Sequence, residues 1–153
     1  MKIQFLVLSV ALLFFNCNKD AVYAEYKKIE NDEWSSRDTL TFCPDIQDIQ
    51  SLYSMDIHIR HADGYPFNNL FLFVITKYPD GKTRQDTVEI ILADSKGRWY
   101  GDGLGDIFDF KAPFKQHFRF TMQGKHEIRF VQAMRTDPLP LIMEVGIELK
   151  KSK

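Results

Sequence analysis

Apolar and polar residues alternate along most of this chain with the two-residue period of β-strands. From Tyr53 to Arg60, Tyr53, Met55, Ile57 and Ile59 fall on one face and Ser54, Asp56, His58 and Arg60 on the other, the mark of a half-buried strand. Leu70 to Tyr78 is almost continuously apolar, which suits a strand in the middle of a sandwich. Pro79-Asp80-Gly81-Lys82 follows, where proline pre-sets φ and glycine accepts a positive φ, and Thr83 to Ala93 returns as the partner strand of a hairpin. Shorter runs at Thr39–Cys43 and His117–Met122, and longer ones at Gly124–Met134 and Ile142–Lys150, read as further strands. Glu25–Asp38 reads as a polar entry and Arg135–Pro140 as a loop, and the proline-broken stretch Thr136–Leu141 is expected to leave Leu139 and Leu141 exposed. No amphipathic helix, repeat or low-complexity tract interrupts the series. The pattern predicts an all-β fold, a single antiparallel β-sandwich of about seven or eight strands, with jelly-roll and immunoglobulin-like orders both open.

The first twenty residues follow another pattern. Lys2 precedes an apolar run from Phe5 to Phe15, and Cys17 closes it before the polar Asn18-Lys19-Asp20. That is the order of a secretory signal. The run is too short to span a bilayer, which takes about 20 residues. A cysteine at this place is the residue that lipoprotein processing acylates, so Met1–Asn16 is predicted to be a signal peptide, residues 17–24 a lipidated tether on Cys17, and residues 25–153 the sandwich domain. Phe14, Phe15 and Asn16 replace the small residues usual before such a cysteine. The alternative is a soluble exported protein cut near Ala21 or Ala24.

Composition narrows the function classes. The formal net charge of the 153 residues is −1, and loss of Met1–Asn16 removes Lys2 and leaves −2. No strongly basic patch stands out, so nucleic acid is not an expected partner. With Cys17 acylated, Cys43 is the one thiol left, no disulfide can form within the chain, and stability must come from the core. Cys43 is expected to be a buried, inert thiol on the first strand.

Candidate chemistry is sparse. His58, His61, His117 and His126 lie in or beside strand segments, mostly on outward faces, without zinc spacing, and no G-x-S-x-G nucleophile elbow occurs. No cofactor, metal or catalytic residue is expected. Gly101–Asp106 combines glycines with Asp102 and Asp106; it fits neither an EF-hand nor a phosphate loop and reads as a structural turn, with calcium or a partner as the other uses. Trp34, Trp99 and Tyr100 are the aromatics to watch. Trp99 and Tyr100 beside the glycine loop, with Asp102, Asp106 and Trp34, form the candidate surface for a partner or ligand, since tryptophan is over-represented at interface hot spots.

The strings VYAEYKKI, YPFNNLFLFV from Tyr65, PDGK with QDTVEI, GRWYGDGLGDIFD from Gly97, FVQAMR from Phe130 and EVGIEL resemble the gliding motility lipoproteins of type H, the GldH family of the Bacteroidota. They span almost the whole of the chain after the signal. The resemblance implies a lipoprotein of an outer-envelope apparatus needed for gliding and associated with type 9 secretion, with no known enzymatic activity and no functional residues to carry over beyond the lipid-bearing cysteine, here Cys17. It leads to a non-catalytic, membrane-anchored component that binds other gliding and secretion envelope proteins, on the periplasmic side of the outer membrane. The other reading kept open is a carbohydrate- or peptidoglycan-binding lipoprotein, which requires an exposed flat pair of aromatics.

Overall fold

The computed structural model describes residues 21–152. The signal segment and Cys17 lie outside the described residues. Thirteen strands appear, all paired antiparallel, with one short 3-10 turn at Glu30–Asp32. Strands β1 (Ala21–Lys28), β5 (Tyr53–Ala62), β8 (Asp102–Leu104), β9 (Ile107–Phe118) and β13 (Ile142–Lys151) form a five-stranded sheet in the order β1-β13-β5-β9-β8. Strands β3 (Leu40–Phe42), β6 (Asn69–Lys77), β7 (Thr83–Ile91) and β11 (Glu127–Gln132) form a four-stranded sheet in the order β3-β11-β6-β7. Two small ribbons, β2 (Glu33–Trp34) with β12 (Leu139–Pro140) and β4 (Asp45–Ile46) with β10 (Gly124–Lys125), complete the set.

Ile57, Ile59, Val145 and Ile147 from the larger sheet share one core with Phe42, Leu72, Val74 and Phe130 from the smaller, which makes the fold sandwich-like. Every second residue of β5 from Tyr53 to His61 is buried, as the alternation requires. Phe42 and Phe130 meet across β3 and β11 with ring centroids 5.1 Å apart, an arrangement worth about 0.5–1.5 kcal/mol beyond the area it buries. The β6–β7 hairpin is as the PDGK turn predicts, with Lys77 opposite Thr83 and Gly81 at φ 84°.

The count of thirteen corrects the expected seven or eight. The excess comes from β1 and from pieces of two or three residues, β2, β4, β8, β10 and β12, too short to show a period. The polar entry hides β1, whose outward residues include Lys28 and whose inward ones include Glu25 and Lys27. As a result the sheet already takes in Ala21 to Ala24, which the sequence reading placed in the tether. Residues 117–122 are not a strand of their own: β9 starts ten residues earlier and ends at Phe118, after His117 adopts φ 50°. The long run from Gly124 is broken at His126, whose N–H donates to the Pro44 carbonyl at 2.9 Å.

Candidate functional site

The glycine-rich segment forms a tight hairpin, β8 turning into β9, and each glycine serves a stated contact or angle. Gly101 has φ 89°, and a Cβ there would stand 2.1 Å from the Asp109 carbonyl oxygen. Gly103 lies under the Phe108 ring, and Gly105 turns the tip at φ 61°. Asp63 donates its N–H to the Asp106 carbonyl at 2.7 Å and accepts the Trp99 indole N–H at 2.8 Å, tying the hairpin to the end of β5.

Trp99 is half-buried in a cluster with His61, Tyr65 and Phe108, its ring 4.5 Å from that of His61 and 6.1 Å from that of Phe108. Tyr100 is 43% exposed, and Asp102 and Asp106 are exposed on the hairpin. The structure therefore gathers Trp99, Tyr100, Asp102 and Asp106 around one hairpin. It separates Trp34 from them: Trp34 is fully buried, its indole N–H donating to the Asp38 carbonyl at 2.8 Å, and it belongs to the core rather than to a surface. Trp34 and Trp99 thus do not form a flat exposed pair for a sugar ring.

Leu104, at the tip, is the residue the sequence reading passed over. It is 85% exposed, by a wide margin the most exposed large apolar side chain among the described residues. Behind it opens a depression of about 340 Å³ whose lining includes Ile29, Asp32, Arg60, Asp109 and Glu144. Arg60 grips Asp109 through two hydrogen bonds of 2.8 and 3.2 Å and reaches Glu144 at 3.2 Å. Asp109 holds the Arg60 guanidinium above its ordinary pKa. A cation matched by two carboxylates braces the sheet end.

Two histidines, His61 and His126, depart from the expected outward faces, and a third, His58, is covered there. His61 continues the inward series of β5, with Nδ1 3.0 Å from the Ala62 carbonyl and Nε2 left without a partner. His126 is buried beside Phe120, with Nδ1 3.0 Å from the Gly124 carbonyl. His58 does lie on the outer face, but the Tyr26 ring covers it at 5.0 Å. Tyr26 gets there across Gly146, where a Cβ would stand 2.3 Å from the ring. Burial pushes the pKa of both His58 and His61 down. His58 Nε2 is 3.9 Å from Asp109, beyond hydrogen-bond reach. His117 alone of the four is exposed.

Cys43 is exposed, not buried, because Leu40 and Phe42 take the inward positions of β3 and leave the next residue outside. Leu139 is fully buried and Leu141 partly so, since β12 pairs with β2 and the Ala62 N–H donates to the Leu141 carbonyl at 3.1 Å. Among the described residues no three His, Cys, Asp or Glu side chains converge as a metal site.

Fold and site together define an all-β, sandwich-like domain with a braced, apolar-tipped hairpin at one end. Residues 21–149 match the family described as GldH lipoprotein. The chain is 34% identical over 155 residues to a gliding motility lipoprotein GldH homolog of Christiangramia forsetii, covering 97% of this chain and 94% of the relative. It is 32% identical over 153 residues to the gliding motility lipoprotein GldH of Flavobacterium johnsoniae, covering 95% and 94%. This chain belongs to the GldH lipoprotein family.

Proposed function

We propose that this protein is a lipid-anchored, non-catalytic component of the gliding motility and type 9 secretion machinery, held to the cell envelope by acyl chains on Cys17 and docking other envelope proteins through the β8–β9 hairpin. The family supports the lipoprotein and gliding parts of this reading. The outer membrane, with the domain on the periplasmic side, is the proposed location.

The observation that carries the docking role is Leu104, a large apolar side chain projected into solvent on a hairpin held rigid by the Asp63, Trp99 and Arg60 contacts. A soluble surface gains nothing from holding a leucine out in water, whereas an interface gains from a pre-ordered apolar anchor. Orientation agrees with the role. Ala21 lies four residues past Cys17, and β1 runs about 23 Å from there to Lys28. Lys28, Glu144, Arg60, Asp109 and Asp102 face one another in a row across the sheet at that far end. The hairpin therefore projects away from the lipid. Acylation confines the search for partners to a surface and raises their effective concentration.

The test is photo-crosslinking in cells of the full chain with p-benzoylphenylalanine in place of Leu104. Adducts with a gliding or secretion component, absent when the same group replaces the exposed Lys96, support docking at the hairpin. No adduct at position 104, together with normal gliding and secretion by Leu104→Asp, contradicts it.

A further inference from the structure

At the opposite end of the sandwich, where β1 begins, a cavity of about 280 Å³ opens between β9 and the β6–β7 hairpin. That volume is near the lower end of ordinary small-ligand sites. Its walls include the rings of Phe114, Phe118, Phe120 and Tyr78, with buried His126, whose Nε2 has no hydrogen-bond partner. Three cations, Arg84, Lys115 and Arg119, stand among these residues. Asp86 is the acid facing them, 2.8 Å from Arg84 and 3.9 Å from Lys115. Among the described residues Arg119 donates only to the Gln50 carbonyl, at 3.0 Å, and no carboxylate matches its charge. The site therefore carries two positive charges in excess beside an aromatic cavity.

Lys115 is unusual within it. Its ammonium lies 5.0 Å from the Phe114 ring centroid, and burial lowers its pKa against the pull of Asp86. A partly desolvated ammonium short of a close carboxylate partner is one that a bound anion stabilises.

The position of the cavity identifies the occupant. Ala21 is opposite Lys150, Lys150 opposite Ser54, and the next residue of β5, Met55, opposite Lys115, so the cavity lies three strand spacings, about 14 Å, across the sheet from the start of β1. Cys17 is four residues before Ala21, a reach of at most about 14 Å. If Cys17 is acylated as proposed above, this end of the domain meets the membrane surface. We infer that the cavity walled by Phe114, Phe118, Phe120 and Tyr78 binds an anionic phospholipid of the anchoring membrane, its acyl portion against the rings and its phosphate among Arg84, Lys115 and Arg119. The lipid fixes how the domain stands on the bilayer, so that the hairpin at the other end points outward.

Native mass spectrometry of the full chain, extracted from membranes in detergent and offered phosphatidylglycerol or phosphatidylcholine at equal concentration, tests this. The covalent mass reports acylation of Cys17 separately from any retained lipid, so failure of the anchor and failure of the cavity read out independently. The expected result is a single phosphatidylglycerol adduct at least fivefold more abundant than the phosphatidylcholine adduct. The Arg84→Gln, Lys115→Gln double variant reduces that preference at least fivefold. Arg119→Gln, an exposed change that leaves the core alone, reduces it at least twofold, and Lys96→Gln at a distant turn leaves it unchanged. Equal retention of the two lipids, or a preference that survives both cavity variants in folded protein, overturns the inference.

Discussion

Glycine and histidine carry the most specific consequences at the scale of single residues. Gly101 combines φ 89° with a carbonyl oxygen 2.1 Å from where a Cβ would stand, while Gly105 has φ 61° and open space around it. Gly105→Ala should therefore cost only the left-handed penalty, about 1–2 kcal/mol, and Gly101→Ala distinctly more, because the β8–β9 pairing must also open. Urea unfolding of the two variants separates the cases. The buried histidines set an acid limit. His58 and His61 have folded pKa values below the ordinary value near 6.5. Above about pH 6.5 neither state gains a proton; below it the unfolded chain takes protons first, so stability falls until the lowered folded values are reached. Each histidine contributes at most about 1.4 kcal/mol per pH unit within that window. Unfolding measured at pH 7.5 and 5.5 should show the loss, and the His58→Asn, His61→Phe double variant should flatten it. His61 continues the series Tyr53, Met55, Ile57, Ile59, a signal that marks its inward place but is lost when the strand is ended at Arg60. The burial of His58 on the outer face was not legible, because only the fold shows Tyr26 lying over Gly146 to reach it.

At the scale of elements, strands with uninterrupted alternation or a decisive turn were legible, β5, β6, β7 and β13 among them. β9 was not: Asp109, Lys111 and Lys115 punctuate it, Pro113 breaks the usual strand signal, and its register against β5 shifts twice. Those charges have partners that only pairing reveals. Lys111 and Lys150 approach Glu148 on β13 at 2.6 and 2.9 Å. Burial raises the Glu148 carboxyl, and the two lysines overcome that and hold it below its ordinary value. Lys111→Met should cost about 1–2 kcal/mol by chemical denaturation, discounted from a fully buried pair because Lys111 is half exposed. The core strands obey the plainer rule: Phe130→Ala should cost about 3–5 kcal/mol, since the ring is fully buried against Phe42.

The whole molecule has two unlike ends joined by one core. One holds the hairpin with Leu104 and the Arg60 brace; the other holds the aromatic cavity with its three cations, and the chain enters from the cation end. Leu104→Asp should leave stability within about 0.5 kcal/mol, because the side chain touches little, yet abolish gliding or secretion, an outcome that separates docking from folding. The sequence groups Trp99, Tyr100, Asp102 and Asp106, which the fold places at this end, but does not mark Leu104, since a single leucine in a glycine loop has no period. Trp34 went the other way, its burial decided by the β2–β12 ribbon that two-residue strands do not announce. The reading of the molecule as a tethered module depends above all on Cys17. Metabolic labelling with a clickable fatty acid, comparing wild type with Cys17→Ala and followed by membrane fractionation, tests it most directly. Label on the wild type that vanishes in the variant, with the wild type in an envelope membrane, is the predicted result; unlabelled, soluble protein in both would contradict it.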